Sequence, residues 1–227
     1  MALRKQAGEK ETITESATQL LEHEILRGVL QPGSRLAVVD LSNRYEIGVT
    51  PIREALSRLV ALDLVEAIGR RGFHVKELSF EDLRDNTMVR FTIEREALEI
   101  SMRKGGDAWE SDLIASLHLL QRFVERTGPE FGQGDEELDT LHHNFHRALI
   151  GGSGSPRLAD FAHNLYNQAY RYRMVNMSRL REPVAFLEMH RTLADAALRR
   201  DEKLAVELLC DHLRSTQKNI YPEQPFD

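Results

Sequence analysis

Four histidines have the residue type and the spacing to hold a metal ion. His142 and His146 are four residues apart in LDTLHHNFHRALIGG, so on a helix they project from one face, whereas His143 is turned by about 100°. His190 lies in FLEMHRTLADAAL and His212 in LLCDHLRS, each on its own predicted helix beside apolar residues. Antiparallel helices can bring such residues to one point inside a bundle. An isolated histidine on an amphipathic helix is more often a structural residue, so spacing alone leaves both interpretations open.

Hydrolytic chemistry is a second interpretation of these histidines. A zinc hydrolase of the H-E-x-x-H type needs a glutamate directly after the first histidine as general base, and that position is His143 here. Asn144 cannot serve, and neither a glycine-rich phosphate loop nor a nucleophile elbow accompanies the possible bases Glu188 and Asp139. We therefore predict that the protein is not an enzyme. His118 and His163, each alone on its predicted helix, are interpreted as structural.

The bulk composition indicates a globular protein of one large or two modest domains. The chain has 227 residues and a single cysteine, Cys210, which excludes an internal disulfide framework and fits a reducing compartment. The N-terminal MALRKQAGEKE lacks the apolar core of a signal peptide, and no later run is long enough to span a membrane. We expect a cytoplasmic protein with no membrane partner.

The net negative charge of the chain comes from one part of it. Of the 30 basic and 36 acidic residues, 11 of each lie in residues 1–78, so the net charge of -6 comes entirely from residues 79–227. The N-terminal part is neutral on average, which permits a local basic face. We divide the chain into two predicted domains at this boundary.

Residues 1–78 have the order of elements of a winged helix-turn-helix. Thr12 or Thr14 can cap a first helix that GVLQPGSRL ends, and VVDLSNRYE is a short second helix. The third helix lies in TPIREALSRLVALDL, where Thr50 suits the N-cap and Pro51 the first helical position. The β-prone runs VEAI and FHV flank a Gly-Arg-Arg-Gly turn and predict a small hairpin wing.

The third helix has the pattern of a helix that enters the major groove. Its inward positions form one apolar stripe of Ile52, Ala55, Leu56, Leu59 and Val60. Its outward positions are Thr50, Arg53, Glu54, Ser57 and Arg58. Arg53, one turn into the helix, can reach a guanine edge or a phosphate, while Arg44, Arg70 and Arg71 can contact the backbone or the minor groove. A solvated polar face is the alternative, and the order of elements favours DNA binding.

Residues 79–227 are predicted to fold as an all-helical bundle. Six helical segments follow one another with few β signals, and several have clear start signals at Ser79, Ser155 and Pro183. The fold class is therefore mainly α: an N-terminal winged helix-turn-helix with a small β-hairpin wing, followed by an all-α helical bundle.

The segment LSNRYEIGVTPIREALSRLVALDLVEAIGRRGFHVKEL resembles the winged helix-turn-helix of GntR-type bacterial transcription regulators. That family has the pattern LA-x-x-x-GVSRTPVREAL-x-RL-x-x-x-GLV, with RGx-x-V in the wing, and the match covers roughly residues 12 to 78. Gly48 and Val49 stand where the family has Ser-Arg, and Asp63 where it has Gly. The first departure removes a familiar DNA-contacting arginine. The resemblance implies DNA contacts by Arg44, Thr50, Arg53, Arg71 and Gly72.

The second part resembles FCD, the ligand-binding domain that follows the GntR winged helix in the FadR branch. With six predicted helices, it resembles the domain of the VanR-type subgroup. The family pattern D-x-x-F-H, E-x-H and H-L is matched by HHNFH, EMHRTLADAAL and DHL, which supply His146, His190 and His212. In the family these residues hold a divalent metal that in turn holds a carboxylate effector. His142 stands where the family has Asp.

The exchange of Asp for His142 implies a changed metal preference. A neutral imidazole in place of a carboxylate leaves the site more positive and favours Zn or Ni over Mn or Mg, unless His142 points away and leaves three histidines. Asp139, one turn earlier, is predicted to orient an imidazole from outside the ligand set. Arg90 matches the family's R-x-x-x-E pattern and either faces the bound carboxylate or pairs with Glu94.

The resemblance implies a metabolite-responsive regulator that acts as a homodimer. Two recognition helices related by a two-fold axis predict a palindromic double-stranded DNA operator with half-sites about one helical turn apart. The partners would be the operator and a small carboxylate effector. The alternative is a metal-dependent enzyme of small organic acids fused to a DNA-binding module.

Overall fold

The computed structural model describes residues 12–128, 136–176 and 182–224. Its contacts divide the chain into two compact units, one ending at Glu77 and the other beginning at Leu78. In the described residues, the first unit has three α-helices and a small sheet, and the second has six α-helices. The predicted fold class, mainly α with a winged helix-turn-helix before a helical bundle, is confirmed.

The first unit is a three-helix fold with a three-stranded sheet. Its helices are α1 (Ile13–Leu26), α2 (Val38–Tyr45) and α3 (Val49–Ala61). Its strands are β1 (Arg35–Leu36), β2 (Val65–Ile68) and β3 (Gly72–Val75), antiparallel in the order β1-β3-β2, with a 3-10 turn over Gly69–Arg71. The predicted hairpin is confirmed. Strand β1 was not predicted from the sequence, because two residues are too few to show an alternating pattern.

The inward face of α3 is the apolar stripe expected from the sequence. Ile52, Ala55, Leu56 and Leu59 are fully buried, and Val60 is half-buried. They pack with residues of α1 and of the sheet into one core. This packing leaves the opposite face of α3 exposed.

The start of α3 differs from the predicted one. Thr50 is not the N-cap: the helix begins at Val49, Gly48 is the N-cap, and no side chain caps the first turn. Pro51 is consequently the third helical residue. It is tolerated there because the first N–H groups of a helix have no intrahelical partner. Glycine has no capping oxygen, which is why the sequence pattern favoured the threonine.

Asp63 adopts a left-handed backbone conformation with φ of 58°. It lies between α3 and β2, where GntR-type sequences have glycine, the residue with the lowest cost in this region. Its carboxylate forms an ion pair with Lys76. Aspartate is among the few other residues that adopt this conformation, so the turn persists without glycine.

The second unit contains six helices in its described residues. They are α4 (Phe80–Lys104), α5 (Asp107–Thr127), α6 (Glu136–Gly151), α7 (Pro156–Asn176), α8 (Pro183–Leu198) and α9 (Glu202–Ile220). Ser79 caps α4 by accepting from the Asp82 N–H, and Pro183 is in the first turn of α8, as expected. None of the helices in the described ranges is both long and apolar enough to cross a membrane.

Helix α6 is packed against α4, α5 and α7. Leu138, Phe145 and Leu149 of its inward face are buried in the main core of the unit. His142 and His146 are on the same face, because residues three and four apart lie on one side of a helix. The packing of α6 therefore carries two imidazoles into the interior.

Candidate metal centre and nucleic-acid interface

Four histidines from three helices meet inside the second unit. His142 and His146 come from α6, His190 from α8 and His212 from α9, and each exposes at most 5% of its surface. One potential ligand atom of each lies within 4.8 Å of those of the other three. His142 therefore lies with the other three histidines.

Three of the imidazoles approach one another through their Nε2 atoms. The Nε2 of His146 is 3.1 Å from that of His142 and 3.0 Å from that of His212. A single Nε2 either carries one proton or offers one lone pair, so it cannot form a full hydrogen bond with both neighbours. Two nitrogen ligands, each about 2.1 Å from one ion, are about 3.0 Å apart at right angles and about 3.4 Å apart in a tetrahedral arrangement. The separations fit imidazoles that share one cation.

His190 provides the clearest sign that a cation fits. Its Nδ1 lies 2.6 Å from the Phe186 carbonyl oxygen, a contact in which the ring N–H donates. The other nitrogen, Nε2, then has a lone pair, and it is buried with no hydrogen-bond partner among the described residues. A buried lone pair left unpaired is costly, and a metal ion satisfies it.

The electrostatics of the cluster keep the four rings neutral. Burial lowers the pKa of His142, His146 and His212 well below 6.5, and it lowers the pKa of His190 to about 4. The neighbouring histidines and the cationic Arg173 act in the same direction. Neutral imidazoles are the form that binds metals.

A ring of polar groups surrounds the histidines. The Tyr166 hydroxyl is 3.2 Å from Nδ1 of His142. The guanidinium of Arg173 lies 4.6 Å from the centre of the Tyr166 ring, and that of Arg90 lies 5.4 Å from it. Arg90 also binds Glu94 at 2.7 Å, so the pairing considered in the sequence analysis is present. Arg173 is buried, and its Nη2 has no hydrogen-bond partner within the described part of the chain.

Asp139 contacts a tyrosine. Its carboxylate accepts a hydrogen bond from the Tyr170 hydroxyl. The Tyr166 hydroxyl lies beside a nitrogen of the histidine cluster and was not predicted from the sequence. Tyr166 and Arg173 are seven residues apart on α7, a spacing that places them on one face. The histidine of that face, His163, was interpreted as structural, so it did not mark the face as part of a site.

A cavity of about 690 Å³ adjoins the cluster, lined by His146, Tyr166 and Glu94 among others. Its wall includes His143 and His163, whose facing nitrogens are 3.0 Å apart. Burial lowers the pKa of His143 to about 3. The cavity therefore places neutral imidazoles, a phenol, apolar groups and charged side chains, among them Glu94 and Arg147, beside the histidine cluster.

The residues of the first unit that were predicted to contact DNA are mostly exposed. Thr50, Arg53, Arg70 and Arg71 are exposed. Arg44 is about half-exposed and forms an ion pair with Glu24 at 3.4 Å.

Gly72 follows these turn arginines at the start of β3. Its φ of 84° and ψ of -148° belong to a region that only glycine adopts readily. The wing turn that presents Arg70 and Arg71 therefore depends on this glycine.

Two family models match the chain. The model described as bacterial regulatory proteins, gntR family, matches residues 13–75, and the FCD domain model matches residues 85–215. The chain belongs to the GntR family. The predicted resemblance is thus confirmed, and this GntR-family protein is a DNA-binding transcriptional regulator with an FCD domain.

Two relatives are similar in sequence to the regulator over most of its length. It is 38% identical to the uncharacterized HTH-type transcriptional regulator BphR of Paraburkholderia xenovorans, over 90% of this chain and 84% of that protein. It is 36% identical to the HTH-type transcriptional repressor GlaR of Escherichia coli, over 85% of this chain and 89% of that protein. These relatives and both families are regulators, which confirms the prediction that the protein is not an enzyme.

Solved structures share the fold of the regulator. McbR/YncC of E. coli superposes with a TM-score of 0.74 at 22% identity, covering 93% of this chain and 98% of that one. A putative GntR regulator from Rhodococcus sp. RHA1 has a TM-score of 0.71 at 22% identity, over 93% and 99% of the two chains.

Proposed function

We propose that this regulator is a homodimeric repressor whose binding to a palindromic operator is modulated by a small carboxylate held at a divalent metal ion. The metal ligands are His142, His146, His190 and His212. The observation that carries the proposal is the buried Nε2 of His190, which has no hydrogen-bond partner among the described residues and lies beside three converging Nε2 atoms. The assignment as a repressor rests on the similarity to GlaR, an HTH-type transcriptional repressor.

The donor set favours zinc or nickel. Four neutral imidazoles suit nitrogen-preferring ions, whereas Mg and Mn prefer carboxylate and carbonyl oxygens. A bound ion would supply positive charge that attracts an anion. His190 is oriented for this role by its bond to the Phe186 carbonyl, and His142 by the Tyr166 hydroxyl.

The buried charges beside the cluster favour an anionic effector. Arg90 and Arg173 both lower the pKa of His146 and of His212, so both lie within electrostatic reach of the site. Glu94 neutralises Arg90, whereas Nη2 of Arg173 has no hydrogen-bond partner in the described ranges. A buried cation is costly unless it is paired. A carboxylate bound beside the histidine cluster would supply an anion for Arg173.

Regulation requires that the effector distinguish two states of the dimer. A ligand shifts an equilibrium only by its differential affinity for the two states. Effector binding would therefore change the spacing or mobility of the two winged helices, and with them the affinity for two half-sites on one face of DNA.

The effector assignment predicts a strong effect at Arg173. In zinc-loaded protein, Arg173→Met should weaken binding of the best small carboxylate by roughly 10- to 100-fold, because a hydrogen bond to a charged group contributes about 1.5–3 kcal/mol. Calorimetric titration with a panel of mono- and dicarboxylates measures it. Arg95→Met, an exposed arginine of the same helical unit, is the matched control. Failure of every carboxylate to bind the zinc-loaded wild type would sink the effector assignment.

The DNA assignment predicts a separate effect at Arg53. Arg53→Ala should weaken specific operator binding by about 1–3 kcal/mol if the guanidinium reads a base. Gel-shift titration against the operator and a scrambled sequence measures it. An equal loss of affinity for both DNAs would mean that Arg53 contacts a phosphate instead. The slope of log affinity against log salt concentration should then also be smaller by about one. Unchanged affinity would remove Arg53 from the interface.

A further inference from the structure

The first turn of α3 exposes an apolar side chain at the end of the helix that enters DNA. Val49 is 42% exposed, and it belongs neither to the core of the first unit nor to the apolar residues that pack on that core in the described ranges. Valine is also not favoured in helices by intrinsic propensity. Neither packing nor helix formation therefore accounts for this residue.

Gly48, directly before Val49, is not required by the fold either. Its φ is -56°, which any residue adopts. A Cβ at this position would meet only Pro51, with Cδ at 3.5 Å, an ordinary van der Waals contact. The missing side chain leaves the start of the helix open to close approach by another molecule.

The neighbouring side chains indicate what that molecule is. Thr50 and Arg53 are exposed beside Val49, and Glu54 is held by the Thr14 hydroxyl of α1 at 2.9 Å. The acidic group is thus anchored to the first helix, while a hydroxyl, a guanidinium and an isopropyl group remain at the leading end of α3. The N-terminal residues of a recognition helix are the ones that contact base edges.

We propose that Val49 reads the 5-methyl group of a thymine in the major groove of each half-site. Thymine is the only standard base with an apolar group in that groove, and small apolar side chains contact it. Gly48 permits this contact by letting the backbone come close. The inference concerns DNA reading alone and is independent of the metal and the effector.

The test removes one methyl group at a time from the DNA. The preferred operator is selected from random duplexes with the full-length protein, and each thymine is then replaced by deoxyuridine, which lacks only the methyl. At one thymine of each half-site, replacement should lower the wild-type affinity about fourfold. This factor corresponds to about 0.8 kcal/mol, the contribution expected from burying one methyl group. Val49→Ala should bind the thymine operator more weakly and lose this sensitivity.

The control uses another exposed valine of the same unit. Val39, on α2, is 59% exposed, and Val39→Ala should keep the wild-type response to deoxyuridine. Wild-type affinity that is insensitive to deoxyuridine at every thymine overturns the proposal. So does a Val49→Ala protein that remains sensitive at the same thymine, or a selected operator whose half-sites contain no thymine.

Discussion

Wild-type protein equilibrated with zinc is expected to retain about one ion per chain after gel filtration, and His190→Ala is expected to retain almost none. The expected loss of zinc affinity is at least about a hundredfold, since even groups that only support a ligand change affinity by 10- to 100-fold. The reason is the position of His190: its Nδ1 is engaged by the Phe186 carbonyl, and its Nε2 has no hydrogen-bond partner in the described residues. Elemental analysis of untagged protein measures the stoichiometry.

Two further variants separate a lost ligand from a lost fold. His118→Ala removes an exposed histidine of α5 and should retain the full metal content. His190→Gln keeps more of the side-chain volume without the imidazole. The only tryptophan, Trp109, is buried in the same unit, so its fluorescence reports whether each variant is folded. Folded wild-type protein that retains neither zinc nor nickel would contradict the assignment of the cluster as a metal site.

The metal preference can be tested at His142. Restoring the family's residue in His142→Asp introduces an anionic oxygen donor. Competition between zinc and manganese should then shift toward manganese relative to wild type, because oxygen ligands suit that ion. An unchanged preference would mean that His142 does not bind the ion, although its Nε2 is 3.1 Å from that of His146.

The sequence predicted those features that depend on local periodicity or on a family motif. The apolar stripe of α3 follows from helical spacing, and its four central residues are fully buried. The four histidines were identified by spacing together with the FCD pattern, and they meet within 4.8 Å. The apolar stripe and the pair His142 and His146 have intervals of three and four residues, so their faces could be assigned without coordinates. His190 and His212 lie on separate helices and were identified by the FCD pattern.

Features that depend on contacts between distant segments were not predictable. Tyr166 touches His142 across 24 positions of the chain, and nothing in its own helix distinguished it from Tyr170 or Tyr172. The same holds for Arg173, whose importance comes from being buried beside that ring. The start of α3 was placed two residues late because Thr50 is the better capping residue in isolation, whereas the backbone uses Gly48.

Acid is expected to unfold the metal-free second unit between about pH 6.5 and pH 4. The four buried histidines have folded-state pKa values below their usual 6.5, chiefly because burial disfavours the charged ring. The unfolded chain therefore takes up protons first as the pH falls. Their contribution to stability is present above pH 6.5 and is lost as the pH falls toward the folded-state values.

The size of this effect follows from His190, whose folded-state pKa is about 4. Lowering the pH from 7.5 to 5 reduces the free energy of unfolding by about 2 kcal/mol for one such histidine. The other three act in the same direction, so the total reaches several kcal/mol, against a usual domain stability of about 5–15 kcal/mol. Urea unfolding of chelator-treated protein, followed by Trp109 fluorescence at several pH values, measures the free energy of unfolding.

His190→Gln should reduce the pH dependence, not only the stability. With one titrating group fewer, the free energy of unfolding should change less steeply between pH 6.5 and 4, by up to about 1.4 kcal/mol per pH unit. His118→Gln, at an exposed position, is the matched control and should keep the wild-type slope. An ion that binds only the assembled site stabilises the folded state, so zinc-loaded wild type should be more stable than metal-free protein near neutral pH. A free energy of unfolding that stays constant from pH 7.5 to 5 in metal-free protein would mean that the four rings are not buried together in solution.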